Sequence, residues 1–227
     1  MKFKEFVKFL EKLEGTASRL EMTDVLVELL KKLNENEVEA GVYLMMGGLA
    51  PRYQKIQFNL ADKMVMRAVA KSVGEKIENV RREYKRVGDL GEVIKGLKIG
   101  LGKRTGGIMS ILEVREKLKV VAEDRGTGSQ ERKIASLAEV LSEVDPVGAK
   151  FVVRIVLDKL RLGYSTKTVL DALSVMEVGD KSLRKRLDSL DQIHPDLGLL
   201  VKKIKQGGVS KAEKEIDLLK KSAPEKI

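Results

Sequence analysis

The sequence predicts an all-α fold, an irregular multi-helix bundle of two pseudo-twofold-related halves. Three observations predict it. Apolar residues recur at spacings of three and four along most of the chain. Capping residues stand ahead of those apolar stripes. One order of motifs also returns 104 to 109 residues later. With only five Phe, four Tyr and no Trp, the core must be built from Leu, Ile, Val, Met and Ala.

The elements follow in order. FKEFVKFLEKL places Phe3, Phe6, Phe9, Leu10 and Leu13 on one helical stripe. In TDVLVELLKKL, Thr23 reads as the N-cap and Val25, Leu26, Leu29, Leu30 and Leu33 as the inward face. Asn36 and Glu39 have capping-box spacing ahead of VEAGVYLMM. QKIQFNL (54–60) reads as briefly extended. KIGLGKRTGG (98–107) reads as a basic, Gly-rich loop, followed by a helix ILEVREKLKVVAED and a joint RGTGSQ (125–130). Ser129 opens QERKIASLAEVLSEV, and Asp145 caps a helix whose first position is Pro146. Ser165 or Thr166 opens KTVLDALSVM.

The repeat runs through these elements. DLGEVIKGLK from Asp89 returns as DLGLLVKKIK from Asp196, an offset of 107. Lys63, Val65 and Ala68 return as Lys167, Val169 and Ala172, an offset of 104. Val38 and Ala40 return as Val147 and Ala149 at 109, and Leu33 returns as Leu141 at 108. The expected halves are about 20–100 and 128–206, within a helical domain 1–210. Residues 211–227, ending in SAPEKI, are expected as a C-terminal helix or linker.

Composition narrows the chemistry. The chain has 44 basic and 34 acidic residues, a net charge of +10, which points to a polyanionic partner. It has no cysteine, which excludes disulfides, thiolate catalysis and Cys-ligated zinc, and its one histidine, His194, sits in a turn before Pro195. No apolar run reaches the ~18 residues of a membrane span, and the amphipathic N-terminus lacks a signal core, so a cytoplasmic location is expected. GLGKRTGG imitates a P-loop, but Leu97 stands where the first glycine belongs and Arg104 replaces the Ser/Thr. Glu113, Glu116, Asp188 and Asp191 read as solvated ion-pair partners.

One device recurs: a helix, a short polar or Gly-containing loop, and a helix start bearing cations. In KLRLGYSTKTVLDAL, Gly163 permits a tight turn and Ser165 and Thr166 supply a cap. The free amides of the first turn favour an anion, and Lys159, Arg161 and Lys167 crowd positive charge there. Its first-half counterpart is APRYQKIQFNLADK, with Arg52, Lys55, Asn59 and Lys63. A third start carries Ser129, Gln130, Arg132 and Lys133.

These stretches resemble a known family. FVKFLEKLEGTASRLEMTDVLVELL, LMMGGLAPRYQKIQFNLADKMVMRAVA, KRVGDLGEVIKG, GTGSQERKIASLAEVL, AKFVVRIVLDKLRLGYSTKTVLDAL and PDLGLLVKKI span about 3–206. Together they resemble the N-terminal DNA-binding domain of ATP-dependent DNA ligases of the archaeal and eukaryotic type. The resemblance implies a domain that grips double-stranded, nicked DNA from the minor-groove side without sequence preference. Such ligases seal nicks in replication, repair and recombination. It places the phosphate-contacting loop on Leu160, Arg161, Leu162, Gly163, Tyr164, Ser165 and Thr166, with Lys167 beside it. The first-half contacts fall on Arg52, Tyr53, Gln54 and Lys55, and on Asn59 through Lys63. Two departures stand out: Asn59-Leu60-Ala61-Asp62 replaces a glycine-bearing version, and KIGLGKRTGG is not typical of the family.

The family's adenylated lysine lies in a Lys-x-Asp-Gly motif, and this chain has none. No catalysis and no cofactor are therefore expected of these residues, while ATP and Mg2+ are expected of the parent ligase. Expected partners are nicked duplex DNA and the nucleotidyltransferase and OB-fold domains of the same ligase, with the chain a monomer, nucleoid-associated or, in a eukaryote, nuclear. The competing expectation is a helical protein-interaction scaffold whose basic surface meets an acidic partner. An RNA-binding module is disfavoured because so few aromatics are available for base stacking.

Overall fold

The structure, a computed structural model, describes residues 1–102 and 108–222, with backbone alone for 219–222. Lys103 through Gly107, the end of the Gly-rich stretch, and the terminal residues 223–227 lie outside the described residues. The helices are α1 (Phe3–Glu14), α2 (Arg19–Lys32), α3 (Val38–Met45), α4 (Asp62–Val73), α5 (Ile77–Val87), α6 (Leu90–Gly100) and α7 (Ile111–Glu123). They continue with α8 (Ser129–Glu143), α9 (Pro146–Val156), α10 (Thr166–Val178), α11 (Arg184–Ile193) and α12 (Leu197–Ser222). A short 3-10 turn covers Arg52–Gln54. The all-α expectation holds among the described residues. None of these helices is long and apolar enough to cross a membrane.

Helix starts show which capping signals win. Asp145 accepts the Gly148 amide at 3.1 Å ahead of Pro146, as its sequence dictates. Two expected starts move. Ser18, not Thr23, caps α2, and Thr23 lies inside with its hydroxyl on the Arg19 carbonyl. The capping box ahead of α3 is Asn34 and Glu37 rather than Asn36 and Glu39. The Asn34 side chain accepts the Glu37 amide at 3.0 Å, and the Glu37 carboxylate accepts the Asn34 amide at 3.2 Å. Glu113, expected in a solvated ion pair, instead closes a capping box with Ser110 at the start of α7.

The chain divides into two compact units. The first holds Met1–Lys8, Gly47–Leu49 and Ile56–Leu160; the second holds Phe9–Met46, Ala50–Lys55 and Arg161–Ile227. In the first unit α6 packs on α9 and α4 on α8; in the second α12 packs on α3 and α10 on α2. Each unit thus joins late helices of one sequence half to early helices of the other. The first buries Phe3, Phe6, Ile94, Leu118 and Phe151; the second buries Leu10, Leu13, Leu26, Leu29 and Leu44. Each such side chain removed from water contributes about 1.5–3 kcal/mol.

The DLG repeat has a physical explanation in each unit. In the first, Asp89 caps α6 through the Gly91 amide at 2.7 Å and accepts Arg154 of α9 at 2.7 Å. In the second, Asp196 accepts the Leu199 amide at 2.9 Å and the Tyr43 hydroxyl of α3 at 2.7 Å. Leu90 and Leu197 are buried beside them. The glycine admits the partner helix: a Cβ on Gly91 would meet the Lys150 carbonyl at 2.8 Å, and one on Gly198 the Tyr43 ring at 2.6 Å. The last lysine of each motif closes another helix. Lys98 donates to the carbonyls of Leu141 (2.6 Å), Ser142 (3.2 Å) and Val144 (2.6 Å) at the end of α8. Lys205 donates to Leu30 (2.6 Å) and Leu33 at the end of α2. Lys98 therefore belongs to α6 and is almost fully buried, not part of a loop.

These bonds reset the register. Lys98 and Lys205 address Val144 and Leu33, and Asp145 and Asn34 start the helices that follow, an offset of 111 rather than 108 or 109. The drop to 104 at α4 and α10 follows from unequal connections, residues 46–61 against 157–165. α12 breaks at Gly207 and Gly208, and its second arm carries buried Val209, Ala212 and Ile216. Arg186 of α11 bonds Ser210 and Glu213. Residues 211–218, within the expected C-terminal helix or linker, are helical and part of the second unit.

Candidate nucleic-acid interface

In the second unit, the segment leading into α10 alternates between buried and exposed residues. Leu162 is buried, and the Tyr164 hydroxyl donates to the Met45 carbonyl at 2.6 Å; burial pushes that phenol's pKa up. Around these anchors Arg161, Gly163, Ser165 and Lys167 face solvent. Gly163 has φ +76, and a Cβ there would meet the Met22 methyl at 3.2 Å, so two constraints select glycine. Ser165 is the N-cap of α10. The Thr166 and Lys167 amides meet no acceptor among the described residues, as expected of a first turn. Arg161 and Lys167 likewise pair with no carboxylate among them. Neutral donors and two unspent cations therefore converge on one turn.

The 3-10 turn in the same unit exposes Arg52, Tyr53, Gln54 and Lys55. Tyr53 packs 6.2 Å from the His194 ring, and its hydroxyl lies 3.5 Å from Asp196. Burial and the negative charge of Asp196 push the Tyr53 phenol upward. Asp191, expected in a solvated pair, is half-buried, and burial followed by Asp188 raises its pKa.

The first unit holds the start of α4, where Phe58 and Leu60 are buried and Asn59, Ala61 and Lys63 are exposed. Asn59 adopts φ +52, as Gly163 does 104 residues later. Asparagine is among the few side chains that tolerate this region, so the missing glycine has a working substitute. The two starts differ in charge. Asp62 occupies the first turn of α4, where α10 has Thr166. Lys159 bonds both Asp62 oxygens at 2.9 and 3.0 Å, and Tyr84 bonds one at 2.9 Å. The Lys159 bond holds the Asp62 carboxyl below its ordinary pKa, and Asp62 raises that of Lys159.

Three expected contact residues have partners within the protein. Lys159 is engaged by Asp62. Lys133 is buried, donating to the Phe58 (2.7 Å) and Ala122 (3.1 Å) carbonyls, and burial lowers its pKa. Its aliphatic position in sequence gave no hint, because a lysine in the second turn of a helix is normally solvated. Arg132 clamps the loop before α8, bonding both Asp124 oxygens (2.9 and 2.6 Å) and the Thr127 (2.9 Å) and Arg125 (3.1 Å) carbonyls. Ser129 and Gln130 remain at the start of α8. Leu160 is half-buried and Leu162 fully so; only their backbones are available.

The chain is basic, with 44 basic against 34 acidic residues, and all-helical among its described residues. The family model described as "DNA ligase N terminus" matches residues 2–174, and the chain belongs to that family. It is 39% identical over 214 residues to a "Probable DNA ligase" of Dictyoglomus turgidum, covering 94% of this chain and 36% of that protein. It is 35% identical to "DNA ligase 2" of Thermofilum pendens, over 88% of this chain and 35% of that protein. It is 33% identical to "DNA ligase 1" of Methanosarcina mazei, over 92% and 35%. The chain spans about a third of the length of these curated relatives.

Proposed function

We propose that this chain grips duplex DNA through its sugar–phosphate backbone, from the minor-groove side and without base-sequence preference, as the DNA-binding part of an ATP-dependent DNA ligase. The observation that carries the reading is the start of α10. Arg161 and Lys167, without partners among the described residues, flank open first-turn amides on a loop pinned by Leu162 and Tyr164. Amides and cations of this kind bind phosphate and carry little base information. Lys63 and Asn59 at α4, Arg52 and Lys55 on the 3-10 turn, and Ser129 and Gln130 at α8 supply further contacts. The matching DLG and lysine devices support reading the chain as a duplicated plan.

The sequence holds no Lys-x-Asp-Gly stretch, and among the described residues no group of His, Cys, Asp and Glu is arranged to hold a metal ion. No adenylation step is assigned to them. ATP and Mg2+ belong, in this reading, to the nucleotidyltransferase and OB-fold domains of the parent ligase, which complete the grip on a nick.

Arg161→Ala is expected to weaken binding to a nicked duplex roughly five- to tenfold at about 0.15 M salt, one phosphate contact's worth. Gly163→Val forces a β-branched residue to positive φ against Met22, and a strain of about 1–3 kcal/mol should weaken binding to a similar degree or more. Fluorescence anisotropy measures both, with circular dichroism checking that helicity is kept. Unchanged affinity in both variants would remove the α10 start from the interface.

A further inference from the structure

The interface described above leaves out α5, whose exposed residues include four cations, Arg81, Arg82, Lys85 and Arg86, beside one acid, Glu78. Arg81 and Lys85 are exposed, four residues apart on one side of the helix, and neither meets a carboxylate among the described residues. Like charges at that spacing repel and weaken a helix unless an anion lies across them. On the neighbouring side, Arg82 and Arg86 share Glu83, at 4.0 and 2.7 Å. Complementing the helix dipole accounts for Lys85 and Arg86 in the last turn, but not for Arg81.

Tyr84 fixes where this side of α5 lies. It stands three residues after Arg81, on the same side, and its hydroxyl holds Asp62 in the first turn of α4 at 2.9 Å. Arg81 therefore neighbours the side of α5 that meets the α4 start, where Lys63 is exposed and Lys159 is bound to Asp62, and Lys85 follows one turn further along α5. We propose that Arg81 and Lys85 contact the sugar–phosphate backbone of duplex DNA, extending the track of the α4 start along α5. Four residues of helix rise about 6 Å, a span over which two side chains can reach neighbouring phosphates of one strand. The inference rests on the duplex-binding reading and adds two contact residues to it.

The test is an anisotropy titration of the full chain with a nicked duplex across a salt series. It compares the unsubstituted protein, an Arg81→Gln/Lys85→Gln variant and an Arg82→Gln/Arg86→Gln variant. Loss of two phosphate contacts predicts about 30-fold weaker binding at about 0.15 M salt and a log–log salt slope shallower by about 1.8 for the first variant. The second variant should lose clearly less affinity and slope than the first, since Glu83 already compensates part of the charge it removes. Equal affinity and slope for Arg81→Gln/Lys85→Gln, with the unsubstituted chain binding normally, overturns the inference and leaves the reading standing. Weaker binding at an unchanged slope also overturns it, because phosphate contact requires counterion release. Failure of the unsubstituted chain to bind duplex, with capture of an acidic peptide instead, sinks the underlying reading.

Discussion

Lys98→Met is expected to destabilise the protein by about 2–4 kcal/mol, a large fraction of the 5–15 kcal/mol typical of a domain. Methionine keeps most of the side chain's length and its apolar packing, so the loss isolates the ammonium. That group donates to the Leu141, Ser142 and Val144 carbonyls, which lie past the point where α8 can bond its own amides. Removing a buried lysine also removes its desolvation cost, which offsets part of the loss. The balance remains unfavourable because carbonyls left behind in the interior have no alternative donor. Lys205→Met, whose ammonium is only half-buried at the end of α2, should cost about half as much. Thermal melting followed by circular dichroism measures both; at roughly 2–4 °C per kcal/mol, Lys98→Met should lower Tm by about 5–15 °C. Equal and negligible shifts would show that water serves those carbonyls as well as lysine does.

The second large effect concerns the glycines of the two DLG motifs. Gly91→Ala places a Cβ 2.8 Å from the Lys150 backbone carbonyl and 3.1 Å from Arg154 Cγ. A backbone oxygen inside a helix cannot step aside, so α6 must move from α9, disturbing the Arg154 bonds to Asp89. Burial alone would raise the Asp89 pKa, but Arg154 and the Glu92 and Gly91 amides outweigh it and hold the carboxyl low. Overpacking of this kind costs about 1–3 kcal/mol before the ion pair is counted. Gly198→Ala meets the Tyr43 ring at 2.6 Å and should behave alike, with added loss of the Tyr43–Asp196 bond. Denaturant unfolding of both variants, showing loss in each, would establish that the repeated motif works as a close-packing device. A neutral Gly91→Ala would contradict that account.

Much of this architecture was legible in the residues, and the misses have physical causes. Stripes such as Phe3, Phe6, Phe9, Leu10 and Leu13 mark helices whatever their partners, and all five are buried. Asp145-Pro146 and Ser165 mark starts because a side-chain cap is a local bond. Ser18 and Thr23, or Asn34 and Asn36, compete for the same role, and only the path of the preceding chain decides between them. Pairing of α4 with α8 and α10 with α2 depends on contacts distant in sequence, so the repeat alone suggested halves rather than the observed units. The loop chemistry that singles out Arg161, Gly163 and Lys167 agrees with their exposure. The partners of Lys133, Arg132 and Lys159 were not legible, because nothing in a sequence tells a solvated cation from one that has found the Phe58 carbonyl, Asp124 or Asp62. Arg81 and Lys85 carry no loop or capping signal in the sequence, and only the Tyr84 bond to Asp62 brings the Arg81 side of α5 beside a helix start.

In the proposed reading the chain holds DNA by its phosphates. Titrating one labelled nicked duplex at several salt concentrations, and a second of unrelated base sequence, tests it most directly. With about 6–10 phosphates neutralised, affinity should fall by about three to five decades between 50 and 200 mM salt, and equally for both duplexes. A shallow salt response, or strong preference for one duplex, would contradict it.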